Sequence, residues 1–442
     1  MPVRQVPNSD LEYLLLCFDK DGNERPEPDG SLLSAEVIRR LQDPAQGITD
    51  VFVMSHGWKG DVPAAIDQYD RWTAAMAACT DDRARVRQRW PQFKALLIGF
   101  HWPSLPWGDE KLDGSFAAEG GGTEEEFIAE WSDRIADTDA ARAALHVLYE
   151  EAQEDIEPDR LPPRVVEAYR TLEREAGLGA DGVAGPPDAD REALDPQMAY
   201  EDWQDIEAAS FGGGFVGGLL SPLRQLSFWT MKKRARTVGE RGGHQLLESV
   251  AAARADGVRV HVMGHSFGCI VVSSMLRGAD AAGTKVASAL LVQGAMSLWS
   301  YAQDLPGKKG TPGYFRPVVE TSSVAGPIVV TTSKFDSAVG KLYPIAAGAA
   351  RQVDFGGGGA RELPKYGAIG TFGLQGAGLT IEPRDISRDV TKAYGFVPGR
   401  VYNLRSDEVI RAGGGLSGAH SDIAHPEVGH AFWEAVLATP GA

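Results

Sequence analysis

Seven short apolar runs recur along the chain: "LEYLLLCFD", "ITDVFVMS", "FKALLIGFHW", "VRVHVMG", "ASALLVQGA", "GPIVVTTSKFD" and "GRVYNLRSD". Most end in Gly, Ser or a charged residue, the pattern of short strands buried on both faces. Helix-period segments separate most of them. Between the second and third runs, Ile66, Tyr69, Thr73 and Met76 return to one helix face that would pack on a sheet. Strands alternating with helices predict an α/β fold with a doubly wound, mostly parallel sheet. In such a sheet the functional groups gather at the C-terminal ends of the strands.

The pattern changes between Asp109 and Asp205, where 28 acidic residues face only 8 basic ones. That excess exceeds the net charge of −17 carried by all 442 residues, so the segment reads as an insertion in an otherwise balanced core. Its centre is helical by period, with Phe127, Trp131 and Ile135, then Leu145, Leu148 and Tyr149, on one face. "GADGVAGPPDAD" breaks that period and reads as a loop. The chain therefore divides into residues 1–108, the first part of the core; 109–208, an acidic, mainly helical cap; and 209–442, the second part of the core. Ser210 to Met231 has the length of a membrane span, but five glycines, Pro222, Arg224 and Gln225 oppose one. A packed lid loop leading into a core helix is the reading preferred here, with transient lipid contact through 210–231 as the alternative.

Composition narrows the function classes. An apolar share of 43% and a charged share of 24% suit a globular protein with a sizeable core. The negative charge disfavours nucleic acid and anionic membranes as partners, while the acidic cap would suit a basic protein. Cys17, Cys79 and Cys269 are odd in number and lack CxxC spacing, so neither a disulfide framework nor a zinc site is implied. The N-terminal apolar run is interrupted by Glu12 and closed by Asp19, a poor signal peptide, and the expected location is the cytoplasm. "DKDGNE", Asp19 to Glu24, has its glycine in the wrong place for a calcium loop and reads as a turn.

The chemistry is concentrated in "VRVHVMGHSFGCIVVSSML", Val258 to Leu276. A strand ending at Met263 and a helix beginning near Cys269 leave a tight turn in which Ser266 takes a strained conformation that projects its Oγ. Gly264 and Gly268 leave room where a Cβ would collide, and the helix N-terminus favours negative charge at the same spot. A serine nucleophile needs a base, and the base needs an orienting acid. Asp336 follows a buried strand at the right end of the sheet, and Asp304, after the preceding strand, is the alternative acid. Three histidines follow the last strand. His420 ends a glycine-rich loop free to reach over the sheet, whereas His425 precedes Pro426 at a helix start and His430 lies inside that helix. In His56-Gly57-Trp58, the backbone N–H of Trp58 would join that of Phe267 as an oxyanion hole, with His56 bracing the loop.

With "HGW", "FHWPS", "RARTVGERGG", "GHSFG" and "GAHSDI" in place, the chain resembles the α/β-hydrolase superfamily, most of all its lipase- and esterase-like members with an inserted cap. The resemblance covers the core before Gly108 and after about Ser221. It implies a serine acyl-enzyme mechanism without metal or cofactor, acting on a carboxylic ester with a lipid-like or bulky acyl group. Thioester and amide hydrolysis use the same parts. The rival expectation is an interaction module whose acidic cap is the working surface on a hydrolase scaffold.

Overall fold

The computed structural model describes residues 3–7, 9, 11–58, 62–104, 123–178, 191, 194–209, 218–255, 257–278, 285–347 and 363–440. Nine strands form one sheet: β1 (Val3–Gln5), β2 (Glu12–Cys17), β3 (Asp50–Ser55), β4 (Ala95–His101), β5 (Arg259–His265), β6 (Ser288–Val292), β7 (Ile328–Thr332), β8 (Ile381–Asp385) and β9 (Val401–Arg405). Their spatial order is β1-β2-β4-β3-β5-β6-β7-β9-β8. Only β1 runs antiparallel to its neighbour; the other pairs are parallel.

The seven apolar runs are β2 to β7 and β9. The two strands that apolar patterning misses, β1 and β8, are the sheet's edges. β1 is the three residues "VRQ", and β8, "IEPRD", is partly exposed and carries Pro383. An edge strand buries little and tolerates a proline that a central strand would not.

Strand order decides where a site can form. After β3 the chain moves to β4 on one side, and after β5 it moves to β6 on the other. The sheet therefore reverses its winding between β3 and β5, and the loops leaving their C-terminal ends diverge to leave a crevice. His56 follows β3, and Ser266 follows β5.

Helices α1 (Leu33–Gln42), α2 (Val62–Ala78) and α3 (Thr80–Arg89) lie in the first part of the core. On α2, Tyr69, Thr73 and Met76 are buried and Ile66 is half-buried, and Tyr69, Trp72 and Met76 join Phe52, Met54 and Leu97 in the core. Arg89 caps the C-terminal end of the chain, donating to the carbonyls of Leu437 and Thr439.

The chain forms two compact units, one of residues 1–104, 234–340 and 367–442, the other of 105–233 and 341–366. The first contains the whole sheet. The second holds the acidic helices α4 (Glu124–Arg134), α5 (Asp139–Glu154), α6 (Pro163–Glu175) and α7 (Pro196–Ala209). α4 opens on a capping box between Thr123 and Glu126, and Phe127, Trp131, Leu145 and Leu148 are buried while Tyr149 is half-buried.

The expected boundaries at 108 and 208 shift, because charge marks composition whereas packing follows apolar contacts. Leu219, Leu220, Leu223, Phe228, Trp229 and Met231 are buried. Tyr169 Oη donates to the Leu219 carbonyl at 2.6 Å, and Trp229 Nε1 donates to the Ala346 carbonyl at 2.7 Å, so residues up to Lys233 belong with the acidic helices. Residues 218–231 are buried apart from the half-buried Thr230. Residues 210–217 and the "GADGVAGPPDAD" loop lie outside the described residues. Among the described residues no helix is long and apolar enough to cross a membrane. Cys17, Cys79 and Cys269 are free. "DKDGNE" is a turn in which Asp19 Oδ1 accepts the N–H groups of Asp21 and Asn23.

Candidate active site

β5 is buried along its whole length and passes within two residues into helix α10 (Gly268–Gly278) when helices are counted in chain order after α8 (Pro222–Val238) and α9 (His244–Ala253). Ser266 makes that passage with φ +53°, in the left-handed region that non-glycine residues rarely occupy. The two glycines are required by contact: a Cβ on Gly264 would stand 2.4 Å from the Gly268 carbonyl oxygen, and one on Gly268 would stand 2.3 Å from that of Ser55. Neighbouring backbone holds the turn. Ser266 N donates to the Val292 carbonyl at 3.1 Å, and the Ser266 carbonyl accepts from Ala295 N at 3.2 Å.

Asp336 lies in the turn after β7 and is 1% exposed. His420 lies between β9 and the last helix, α14 (Pro426–Leu437), counting the short helices Arg316–Glu320, Tyr343–Ala346 and Ile369–Phe372 as α11 to α13. The His420 loop is pinned beside the Asp336 turn: Ala419 N donates to the Phe335 carbonyl at 2.9 Å, and Asp336 and Gly418 form an antiparallel bridge. His420 Nδ1 is 2.8 Å from Asp336 Oδ2, and His420 Nε2 is 2.8 Å from Ser266 Oγ. The carboxylate can only accept, so Nδ1 carries the proton and Nε2 offers its lone pair to the serine hydroxyl.

The other candidates are engaged elsewhere. Asp304 accepts from Gly310 N within its own turn. His425 pairs with Asp422 at 2.8 Å, and His430 Nδ1 with Asp82 Oδ2 at 2.7 Å. Asp82, His430 and Glu434 form one cluster with the makings of a metal site. A guanidinium already occupies it: Arg85 bridges Asp82 Oδ1 at 3.2 Å and Glu434 Oε1 at 2.5 Å, and His430 Nε2 faces the Lys392 carbonyl at 2.9 Å. The donor set fits an ion-pair cluster. Burial pulls the His430 pKa down, but its hydrogen bonds to Asp82 and the Lys392 carbonyl outweigh that and hold it above the ordinary value.

His56 is buried and turned into the protein. Its Nδ1 donates to the Gly57 carbonyl at 2.7 Å, and its Nε2 faces His101 Nδ1 at 2.9 Å and Trp102 N at 3.3 Å. Its lone pair is thus taken. Burial and the adjacent His101 push its pKa down to about 3 against the pull of the Gly57 carbonyl, so the ring is neutral. Ser104 Oγ also donates to the Gly57 carbonyl at 3.1 Å, and Tyr69 Oη accepts from His56 N at 2.9 Å. The braced segment runs close beside Ser266: a Cβ on Gly57 would lie 2.8 Å from Ser266 Cβ, and the Trp58 and Phe267 rings stack at 5.3 Å.

Two participants escape the sequence reading. His265, inside the motif, contacts the His420 carbonyl through Nε2 at 3.0 Å and Gln68 Nε2 through Nδ1 at 3.2 Å. Gln293, directly after β6, donates from Nε2 to Asp336 Oδ2 at 2.9 Å. The available signal was a polar residue closing the apolar run "ALLVQ" at the same end of the sheet as Ser266. Beside His265 lies a cavity of about 210 Å³, bounded in part by Gly57, Gln68, Trp72, Ser421 and Ile423. Comparison with protein-family models, curated proteins and solved structures finds no match for this chain, so the site is read from its own geometry.

Proposed function

We propose that the protein is a serine hydrolase of the α/β-hydrolase type, cleaving a carboxylic ester through an acyl-enzyme. The observation that carries this reading is the unbroken path from Ser266 Oγ to His420 Nε2 and from His420 Nδ1 to Asp336 Oδ2, each link 2.8 Å long.

His420 takes the Ser266 proton as Oγ attacks the ester carbonyl carbon, and Asp336 holds the resulting imidazolium in place. The N–H groups of Trp58 and Phe267 receive the oxyanion. Collapse of the tetrahedral intermediate expels the alcohol, which takes its proton from His420. Water, deprotonated by the same imidazole, then releases the acyl group and restores Ser266. Thioesters and amides call on the same groups, and a panel of p-nitrophenyl esters, acyl thioesters and anilides ranks the three.

A fluorophosphonate probe tests the nucleophile. The wild type is expected to label and Ser266→Ala to remain unlabelled. His420→Ala should lower ester turnover by about 10⁴-fold or more, and adding Ser266→Ala should cost little further, because the two act as one unit. Labelling that persists in Ser266→Ala would overturn the reading.

A further inference from the structure

Gln293 has a backbone conformation and a hydrogen-bond set that the buried end of a strand does not require. Its φ is +45°, which makes it, with Ser266 and Ser322, one of three described non-glycine residues in the left-handed region. Such a conformation is disfavoured for a residue with a side chain and persists where the surroundings over-determine it.

Here the surroundings do. The Thr331 hydroxyl accepts from Gln293 N at 3.0 Å and donates to Gln293 Oε1 at 3.0 Å. That leaves Nε2 between two acceptors, Asp336 Oδ2 at 2.9 Å and the Gly370 carbonyl at 3.1 Å. Only the amino end of the amide can face two acceptors, so the orientation of the side chain is fixed. The residues flanking Gln293 hold the nucleophile turn, since the Val292 carbonyl accepts from Ser266 N and Ala295 N donates to the Ser266 carbonyl. One turn thus grips Ser266 by backbone and Asp336 by side chain. The oxygen that Gln293 holds is the one that receives His420 Nδ1.

Resting on the hydrolase reading above, we propose that Gln293 is a positioning residue: it fixes the Asp336 carboxylate against the Ser266 turn, so that turnover depends on it and substrate binding does not. The Gln293 and Asp336 side chains hydrogen-bond to each other and to Thr331, Gly370, Val339 and His420, and His420 is the one titratable partner outside the pair in that set.

The test compares wild type, Gln293→Leu, Gln293→Glu and Thr331→Val by p-nitrophenyl butyrate turnover, fluorophosphonate labelling rate and thermal melting across pH. Gln293→Leu keeps the bulk and removes the donor. It should lower kcat and the labelling rate by about 10²-fold, with KM within about twofold of wild type, as expected when a catalytic group is misplaced by about 1 Å. Thr331→Val, which frees the amide without removing it, should move kcat in the same direction by less. Gln293→Glu places a second carboxyl against Asp336, and two carboxyls at that distance share a proton. While the proton is held, the glutamic acid O–H donates as the amide N–H did; when it leaves, two like charges meet. The ratio of Gln293→Glu to wild-type kcat should therefore fall as pH rises, at pH values where both proteins remain folded. Gln293→Glu carries the test if Gln293→Leu does not fold. Wild-type kcat in Gln293→Leu, or a Gln293→Glu to wild-type ratio flat with pH, would overturn the proposal. A wild-type protein that the probe does not label at Ser266 would instead overturn the hydrolase reading on which it rests.

Discussion

A single methyl group at Gly268 should displace Ser266, the proposed nucleophile, while its own clash falls on the Ser55 and His56 carbonyls. In Gly268→Ala the new Cβ would stand 2.3 Å from the Ser55 carbonyl oxygen and 2.6 Å from that of His56, against an ordinary contact of 3.4 Å or more. Ser55 cannot yield, because it closes β3 between β4 and β5, in register with Phe100 and Gly264. The start of α10 must therefore retreat by about 1 Å, carrying Ser266 and the Phe267 N–H with it. A retreat of that size exceeds what the 2.8 Å Ser266–His420 hydrogen bond can absorb. The expected loss is about 10²-fold in the second-order rate of fluorophosphonate labelling. Strain at the helix start should cost about 1–3 kcal/mol of stability. Labelling is followed by in-gel fluorescence and stability by urea unfolding, with Gly414→Ala as control. Gly414 lies in the His420 loop at φ −143°, and a Cβ there meets nothing within 4 Å. A wild-type labelling rate in folded Gly268→Ala, or an equal loss in Gly414→Ala, would refute the argument.

Asp336→Asn should lower ester turnover by about 10⁴-fold through loss of the correct histidine tautomer, whereas Asp304→Asn, altering a carboxylate that only caps Gly310, should leave it unchanged. Tyr69→Phe removes the hydroxyl that accepts from the His56 N–H at 2.9 Å and donates to the Phe100 carbonyl at 2.6 Å, and should cost about 1–3 kcal/mol by urea unfolding. His430 is held above the ordinary histidine value, so its contribution to stability is complete below about pH 6.5 and disappears as pH rises through its folded pKa. Unfolding free energy measured from pH 6 to pH 9 should fall over that window in wild type and fall less in His430→Gln.

Local patterning carried the sequence far. The seven buried strands were legible because a buried strand is largely apolar, and the Ser266 turn was legible because a serine flanked by glycines between an apolar strand and an apolar helix is a local pattern, although the contact that demands Gly268 comes from the distant Ser55 and His56 carbonyls. The Gly-rich approach to His420 was readable for the same local reason. Position in the sequence already favoured Asp336 over Asp304 and His420 over His425 and His430, but only the fold shows that His420 meets residues 84 and 154 positions distant in the chain. The edge strands β1 and β8 left no apolar trace because edges bury little. Gln293 could not be assigned because an amide at a strand end acquires its role only when β6 and β7 lie side by side. The boundary at Lys233 likewise depends on which apolar side chains meet, as Trp229 meets Ala346, and not on where charge changes sign. What the sequence determined by itself is what the backbone decides within a few residues: strand, turn, helix, and the residue types able to do acyl chemistry. What only the tertiary structure decided is which of those residues meet, because the turns after β5, β7 and β9 that carry Ser266, Asp336 and His420 are brought side by side by segments that share no local pattern.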